Sequence, residues 1–179
     1  MNQRKMHDSA GHAGVERLVS VCRDSMGELE DIVDAAKPGL DAGLTLGEMR
    51  GLSGDHYDAM YDAVCSLCSE ERYEDALPLA LQMAAHDPTS HQYAFAAAGC
   101  FQQMGRADLA VPLYGLSLLA SETPVAMYRL GECYAKLGNK DKALECFGMV
   151  PTLCEGDPHC TELQDWAAEA SKALNGAHS

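Results

Sequence analysis

The chain has 179 residues, of which 47% are apolar, 27 are acidic and 13 are basic, so its formal charge at pH 7 is −14. That length and apolar fraction suit one folded domain with its own core. The acidic excess excludes nucleic acid as the expected partner, because phosphate binding requires clustered Lys and Arg. No apolar stretch approaches the roughly 20 residues of a membrane-spanning helix, and none follows Arg4 and Lys5 as in a secretory signal. The sequence therefore predicts a cytoplasmic protein without direct membrane insertion.

The first third of the chain predicts a lead-in followed by helices. Residues 1–14 are polar and lack periodicity, which indicates a disordered segment. Between Val15 and Ala36 the apolar residues recur at helical spacing beside an acidic face, and Pro38 with Gly39 ends this amphipathic helix. Residues 43–49 are expected to form a short helix or a linker. We group residues 15–55 as an N-terminal helical segment that is a candidate for dimerisation.

The middle of the chain repeats. Ala76, Ala110 and Ala143 occupy the same place in three similar segments and are 34 and 33 residues apart. This is the period of the two-helix tetratricopeptide unit. The pattern predicts an all-α fold in which three such hairpins, over residues 56–156, stack into a right-handed solenoid.

A capping helix is expected after the repeats. Asp157 and Pro158 have the residue types of a helix N-cap and first turn. The following residues place Trp166 among apolar neighbours, so we expect its ring in the core. Residues 157–179 are accordingly predicted to form this capping helix and a frayed tail.

The eight cysteines are expected to stay free thiols, since the predicted compartment is reducing. Five lie among apolar or alanine-rich neighbours, where a thiol is a small buried hydrophobe, and these are Cys22, Cys65, Cys100, Cys133 and Cys146. Cys154, His159 and Cys160 are possible metal ligands, but their spacing fits no standard zinc pattern. The sequence predicts neither a metal site nor a cofactor.

The concave surface of such a stack is the candidate binding site. Tyr61, Phe95 and Tyr128 are 34 and 33 residues apart on the first helices of the hairpins, which predicts an aromatic ladder along a peptide groove. The alternative is that these rings pack between neighbouring hairpins. Further groove residues are expected one and two turns along the same helices, at Cys65, Cys68, Gly99 and Gln102.

Enzyme motifs are absent from the sequence. It contains no Gly-rich phosphate loop, no G-x-S-x-G elbow and no H-E-x-x-H. No Lys, Arg or His lies near Cys65 in the sequence to stabilise a thiolate. We expect a protein that binds rather than catalyses, with no catalytic residues.

Short motifs between residues 40 and 150 are more specific than the repeats. They include Gly43-Leu44-Thr45-Leu46, Ser53 with Asp55, Tyr73-Glu74-Asp75-Ala76, Gly99-Cys100 and Asp108-Leu109-Ala110. Together they resemble the class II chaperones of bacterial type III secretion. The resemblance implies an all-helical homodimer formed through N-terminal helices. It also implies that a concave groove binds an extended N-terminal segment of hydrophobic translocator proteins and keeps them soluble and export-competent.

The resemblance also implies groove residues. It assigns Tyr61, Cys65, Cys68 and Tyr73 to the first repeat's part of the groove, and Tyr93 with Phe95 to the second repeat's part. Where members of the family commonly carry aromatic residues, this chain has two cysteines, which are expected to widen the pocket.

Two other interpretations remain open. A generic tetratricopeptide adaptor or regulatory scaffold would share the aromatic ladder and bind another kind of protein. A thiol-dependent redox or metal protein would use Cys65 and Cys68. The sequence does not identify the client, the number of clients or the contact surface of the dimer.

Overall fold

The structure, a computed structural model, describes residues 45–176, and this part of the chain is helical with no β-strand. The predicted lead-in, the predicted helix over residues 15–36 and the last three residues lie outside the described residues. The helices are α1 Leu46–Met49, α2 Gly54–Ser69, α3 Tyr73–His86, α4 His91–Gln103, α5 Ala107–Ala120, α6 Pro124–Lys136, α7 Lys140–Leu153, a 3₁₀ turn Pro158–Cys160, and α8 Thr161–Gly176. No helix between residues 45 and 176 is long and apolar enough to cross a membrane.

Helix α1 belongs to a first unit that ends at Met49, and the other helices belong to a second unit that begins at Arg50. α1 is the short helix expected within residues 43–49. The hydroxyl of Thr45 accepts the backbone N–H of Glu48 at 3.2 Å, and the Glu48 carboxylate accepts the Thr45 N–H at 2.7 Å. This reciprocal pair is a capping box, which satisfies two backbone donors at the start of the helix.

The second unit consists of three antiparallel hairpins, α2 with α3, α4 with α5 and α6 with α7, and α8 packs on α7 and α6. Ala76, Ala110 and Ala143 have no solvent-exposed surface. A small residue is required at these positions because the two helices of each hairpin approach closely there. The predicted all-α tetratricopeptide fold with a capping helix is confirmed.

The three hairpins turn in the same way. Glu71, Gly105 and Gly138 follow the first helix of each hairpin and have φ angles of +59°, +77° and +75°. At the second turn the N–H of Arg106 bonds to the carbonyl of Phe101 at 2.8 Å, and the other two turns have the matching bond. These are Schellman motifs, in which a left-handed residue lets the chain satisfy the last carbonyls of the helix. Glycine adopts this conformation without strain, and glutamate does not.

The third hairpin depends on a glycine at its helix crossing. A Cβ atom placed on Gly131 would lie 2.6 Å and 2.8 Å from ring atoms of Phe147. The ring of Phe147 is buried against the backbone of α6 at this point. The close approach of α6 to α7 therefore requires the absence of a side chain at residue 131.

The apolar interior forms two clusters. One contains Val64, Met83 and other residues of the first hairpin with part of α4, and the second extends from Ala98 to Ala167. Leu113 of α5 packs against both clusters. The Leu113 side chain thus connects the two clusters into one continuous apolar interior.

The capping helix begins as expected. Asp157 accepts the backbone N–H of His159 at 2.9 Å, and Pro158 opens the 3₁₀ turn before α8. Leu163 and Ala167 are buried, but Trp166 is 45% exposed, so the expectation of a core Trp166 was wrong. The buried stripe of α8 runs through Leu163, Ala167, Ala170 and Leu174, and Trp166 lies at its edge.

Two cysteines correct the expectation that all thiols are free. Cys154 and Cys160 form a disulfide with a Cα–Cα distance of 5.6 Å. The chain reverses after α7 at Gly156, which has a φ of +86°, and this reversal brings the two residues together. Cys100, Cys133 and Cys146 are buried free thiols, as expected for small core residues. The same expectation for Cys65 was wrong, because Cys65 is exposed on α2.

Candidate binding groove

A cavity of about 440 Å³ opens between the first helices of the three hairpins. α2 contributes Tyr61, Val64, Cys65 and Cys68 to its wall. α4 contributes residues on the facing wall, and these are Phe95, Ala96, Gly99, Cys100, Gln102 and Gln103. Tyr73, Tyr114, Val125 and Arg129 complete the lining. The cavity lies where the sequence predicts a concave binding surface.

Seven of the nine predicted groove residues line this cavity, and they are Tyr61, Cys65, Cys68, Tyr73, Phe95, Gly99 and Gln102. Tyr93 and Tyr128 do not. The Tyr93 ring stacks on that of Tyr57 with centroids 5.6 Å apart, and it lies 6.0 Å from Tyr61 at the border of the cavity.

Tyr128 points toward the end of the stack. Its ring centroid lies 5.5 Å from that of Phe147 and 6.3 Å from that of Trp166. For this residue the structure follows the alternative in which an aromatic side chain packs between neighbouring helices. The aromatic ladder in the cavity therefore consists of Tyr61 and Phe95.

One side of the cavity, which we call the thiol side, comprises Tyr61, Cys65, Cys68 and Tyr73. Burial, with a further contribution from Cys65, raises the pKa of the Tyr61 hydroxyl. Beneath this side the sulfur of Cys68 lies 3.7 Å from that of Cys100. Burial and the nearby Cys68 raise the pKa of Cys100 to about 12, so the Cys100 thiol is neutral near pH 7.

The opposite side, which we call the polar side, comprises Gln102, Tyr114 and Arg129 of the lining together with Glu132, which bonds to Gln102 and Arg129 but does not line the cavity. The buried Tyr114 hydroxyl donates to Gln102 Oε1 at 2.6 Å, and Gln102 Nε2 donates to Glu132 Oε2 at 3.0 Å. Arg129 donates to the same carboxylate oxygen at 2.9 Å. These bonds connect α4, α5 and α6, so each polar group is held in one orientation.

Arg129 alone carries a formal charge among the residues that line the cavity. Burial lowers the pKa of its guanidinium, but the hydrogen bond and charge of Glu132 outweigh that effect and the pKa is raised overall. Burial also raises the pKa of the Tyr114 hydroxyl. The polar side therefore presents a fixed cation and neutral hydrogen-bonding groups to an occupant.

The sequence interpretation missed Arg129. Arg129 stands 33 residues after Ala96, which also lines the cavity. The repeat period could therefore have identified Arg129. Each hairpin is rotated relative to the previous one, so the residues that face one point change along the stack. Tyr61 and Phe95 face the cavity as the repeat spacing predicts. In the third hairpin Arg129, the residue after Tyr128, faces the cavity instead.

Metal ligands are not grouped anywhere in the described region: residues 45–176 contain no cluster of three or more His, Cys, Asp or Glu side chains able to hold a metal ion. The cavity instead offers aromatic rings, thiols, one amide network and one cation. Those groups bind by surface contact and hydrogen bonds.

Residues 69–150 match the family model described as anaphase-promoting complex, cyclosome, subunit 3, which is a tetratricopeptide-type family. Among curated protein sequences, none is significantly similar to the chain. The matched region covers the second helix of the first hairpin and the two later hairpins, in agreement with the repeat pattern.

Solved structures extend the similarity to the whole stack. A complex of the Yersinia enterocolitica type III secretion chaperone SycD with a peptide of the translocator YopD is 20% identical, with a TM-score of 0.68 over 72% of this chain and 98% of that chain. Pseudomonas aeruginosa PcrH in complex with the chaperone binding region of PopD is 22% identical, with a TM-score of 0.69 over 72% and 98%.

A type III secretion complex from Aeromonas hydrophila has a TM-score of 0.76 at 19% identity, over 81% of this chain and 97% of that chain. The similarity thus includes nearly the full length of each of these proteins. The chain has the tetratricopeptide-type helical fold of these type III secretion proteins.

Proposed function

We propose that this protein is a cytoplasmic chaperone of a bacterial type III secretion system. It binds an extended segment of a hydrophobic translocator protein in the cavity between α2, α4 and α6, and it keeps that client soluble and export-competent. The observation that carries the proposal is the cavity itself, which is apolar on one side, hydrogen-bonding on the other, and built on a fold in which SycD binds a translocator peptide.

The cavity fits an extended peptide for physical reasons. Tyr61 and Phe95 supply large contact area with little side-chain entropy to lose. On α4, Ala96 has a small side chain and Gly99 has none, which leaves room for an apolar anchor of the client. An extended strand has unpaired backbone groups, and Arg129 is placed to donate to a carbonyl or a client carboxylate.

The chaperone acts by binding and needs no nucleotide, metal or other cofactor. Translocators expose apolar surface that aggregates in water, and covering part of that surface prevents the association. The net charge of −14 adds repulsion between complexes. We include a homodimer formed through the N-terminal helical segment in this proposal, and one SycD structure is described as an alternative dimer.

Co-expression tests the proposal. The candidate client is the product of a neighbouring gene that carries long apolar helices. We expect this client to be insoluble alone and to co-purify with the full chain, and we expect Tyr61→Ala combined with Phe95→Glu to abolish the complex. Leu119→Glu is the matched control, because Leu119 is 87% exposed on α5 and lies outside the cavity.

A client that stays insoluble beside the full chain would show that the protein is not its chaperone. An intact complex with the double variant would show that the client binds outside the cavity.

A further inference from the structure

Two thiols meet beneath the groove although they are 32 residues apart in the sequence. The sulfur of Cys68 on α2 lies 3.7 Å from the sulfur of Cys100 on α4. Both residues border the cavity. Cys68 is half-buried and Cys100 is fully buried, so an oxidant that enters the cavity reaches Cys68 first.

We propose that Cys68 and Cys100 are an oxidisable pair whose disulfide closes the floor of the groove, so that peroxide and client compete for the same site. The formation of this disulfide is independent of the function proposed above, and only its effect on client binding rests on that function.

The reaction balances with hydrogen peroxide as the oxidant. The Cys68 thiolate attacks one peroxide oxygen, the O–O bond breaks, and the products are Cys68 sulfenic acid and hydroxide, which takes up a proton as water. The sulfur of Cys100 then bonds to the Cys68 sulfur, and the sulfenic hydroxyl leaves as water with the Cys100 proton. Two thiols are oxidised to one disulfide and one peroxide is reduced to two waters.

Cys100 suits the second step rather than the first. Its pKa of about 12 leaves almost no thiolate at neutral pH, so direct attack on peroxide is slow. Once Cys68 is a sulfenic acid, the neighbouring sulfur of Cys100 is already in contact and reacts within the molecule.

The bond changes the shape of the cavity. A disulfide requires a sulfur–sulfur distance of about 2.05 Å, so oxidation draws the two sulfurs together by roughly 1.6 Å and ties α2 to α4. A client anchor that rests on the cavity floor prevents this movement and shields Cys68. Disulfide formation therefore disfavours client binding, and a bound client disfavours disulfide formation to the same extent.

Peptide mapping tests the chemistry. The full chain is treated with hydrogen peroxide, blocked with N-ethylmaleimide, digested without reductant and analysed by mass spectrometry. We expect a Cys68–Cys100 linked peptide, in addition to the Cys154–Cys160 link. Cys65→Ser should retain the new link, and Cys68→Ser should leave Cys100 as a free thiol. Oxidation confined to the exposed Cys65, or a Cys100 that stays free in the unaltered chain, would overturn the proposal.

Affinity measurement tests the regulation. The probe is a labelled synthetic peptide of the client segment that resists proteolysis in the co-expressed complex. We expect about tenfold weaker binding after peroxide treatment, reversed by dithiothreitol. Cys68→Ser, which lacks the thiol that peroxide oxidises first, should show the same affinity for the probe before and after peroxide.

The outcomes separate the two proposals. A linked peptide without any change in probe affinity would remove the regulatory role and leave the chaperone function intact. A reduced chain that fails to bind the client in co-expression would contradict the chaperone function, and the peptide map would still decide whether the thiol pair exists.

Discussion

The two sides of the groove are built differently. The thiol side lies mainly on α2 and offers two aromatic rings and two polarisable sulfurs, which adapt to the shape of an apolar group. The polar side is a hydrogen-bonded network across α4, α5 and α6, with each partner 2.6 to 3.0 Å from the next. In the complex proposed above, the adaptable half would accommodate the client's anchor side chain, whereas the rigid half would set the orientation of the bound backbone.

The largest effect is expected from Gly131→Ala, which disturbs the helix that carries Arg129. The new Cβ would lie 2.6 Å from the Phe147 ring, and the buried ring has little room to move. We expect a loss of about 3 kcal/mol in the free energy of unfolding, measured by urea denaturation.

Gly148→Ala is the matched control for that substitution. Residue 148 is an exposed glycine of α7 where an added Cβ would meet no side chain or neighbouring helix within 4 Å, so alanine should keep or raise the stability. Equal stability of the two variants would mean that α6 and α7 do not approach as closely as described.

Alkaline pH should lower the stability of the helices that carry both sides, through the buried thiols of Cys100 on α4 and Cys133 on α6. Burial raises the pKa of Cys100 to about 12 and that of Cys133 to about 11, against 9.0 in the unfolded chain. Above pH 9 the folded protein holds protons that the unfolded chain releases, so stability is full below pH 9 and falls as pH rises. From pH 8.5 to 10.5 we expect each of the two thiols to contribute a loss on the order of 2 kcal/mol.

Urea denaturation at the two pH values measures this loss. Cys100→Ala and Cys133→Ala should each show a smaller decrease than the unaltered chain. Cys65→Ala serves as the control, since its thiol is exposed. A decrease that is the same in all three variants would assign the effect to other groups.

Tyr114→Phe tests whether a hydroxyl on the polar side contributes more to stability than one on the thiol side. It removes the bond from a buried hydroxyl to Gln102 and leaves Oε1 of that amide without its donor, so we expect a loss of about 1.5 kcal/mol in unfolding free energy. The matched substitution on the thiol side is Tyr61→Phe, where the hydroxyl is less buried and the loss should be smaller. Similar losses in thermal denaturation would contradict the distinction between the two sides.

Arg129→Gln tests the cation of the polar side. The substitution removes the only formal charge of the cavity lining and keeps a hydrogen-bond donor, so client affinity should fall by about 1 kcal/mol, or roughly fivefold. Arg106→Gln is the control, because Arg106 forms an exposed ion pair with Asp108 away from the cavity. Calorimetric titration that finds no difference between the two variants would exclude a role of Arg129 in binding.

The smallest effect is expected at the turn that ends α2. Glu71 occupies the left-handed position that glycine occupies after α4 and α6. Glu71→Gly should raise the unfolding free energy by about 0.5 kcal/mol, because the strain is relieved. Gly138→Ala, which introduces a side chain at the equivalent turn after α6, should lower the unfolding free energy by about 1 kcal/mol. A destabilised Glu71→Gly variant in urea denaturation would show that this turn is not strained.

Much of the fold could be predicted because the repeat is encoded locally. A small residue at 76, 110 and 143 with turns before each is sufficient to predict three hairpins, and the structure confirms them. The Cys154–Cys160 bond was missed because the expected compartment, rather than the chain reversal at Gly156, decided the interpretation.

The site was less predictable than the fold because it depends on rotation between hairpins. Repeat spacing correctly brought Tyr61 and Phe95 together, yet it continued to Tyr128 where the structure places Arg129. The position of Trp166 was also predicted wrongly, because apolar character alone does not show whether a residue lies in the middle or at the edge of the buried stripe of a helix. Small rotations between neighbouring hairpins add up along the stack, and these angles cannot be predicted from a single sequence.

Leu113 joins the two apolar clusters, and this has a consequence for how the molecule opens. In a stack each hairpin contacts only its neighbours, so a fluctuation can separate the two clusters at that shared side chain, within the second hairpin. Tyr61 packs with one cluster and Phe95 with the other, and both line the cavity. An occupant that contacts both rings suppresses the separation, so its binding couples the two clusters and they unfold as one cooperative unit.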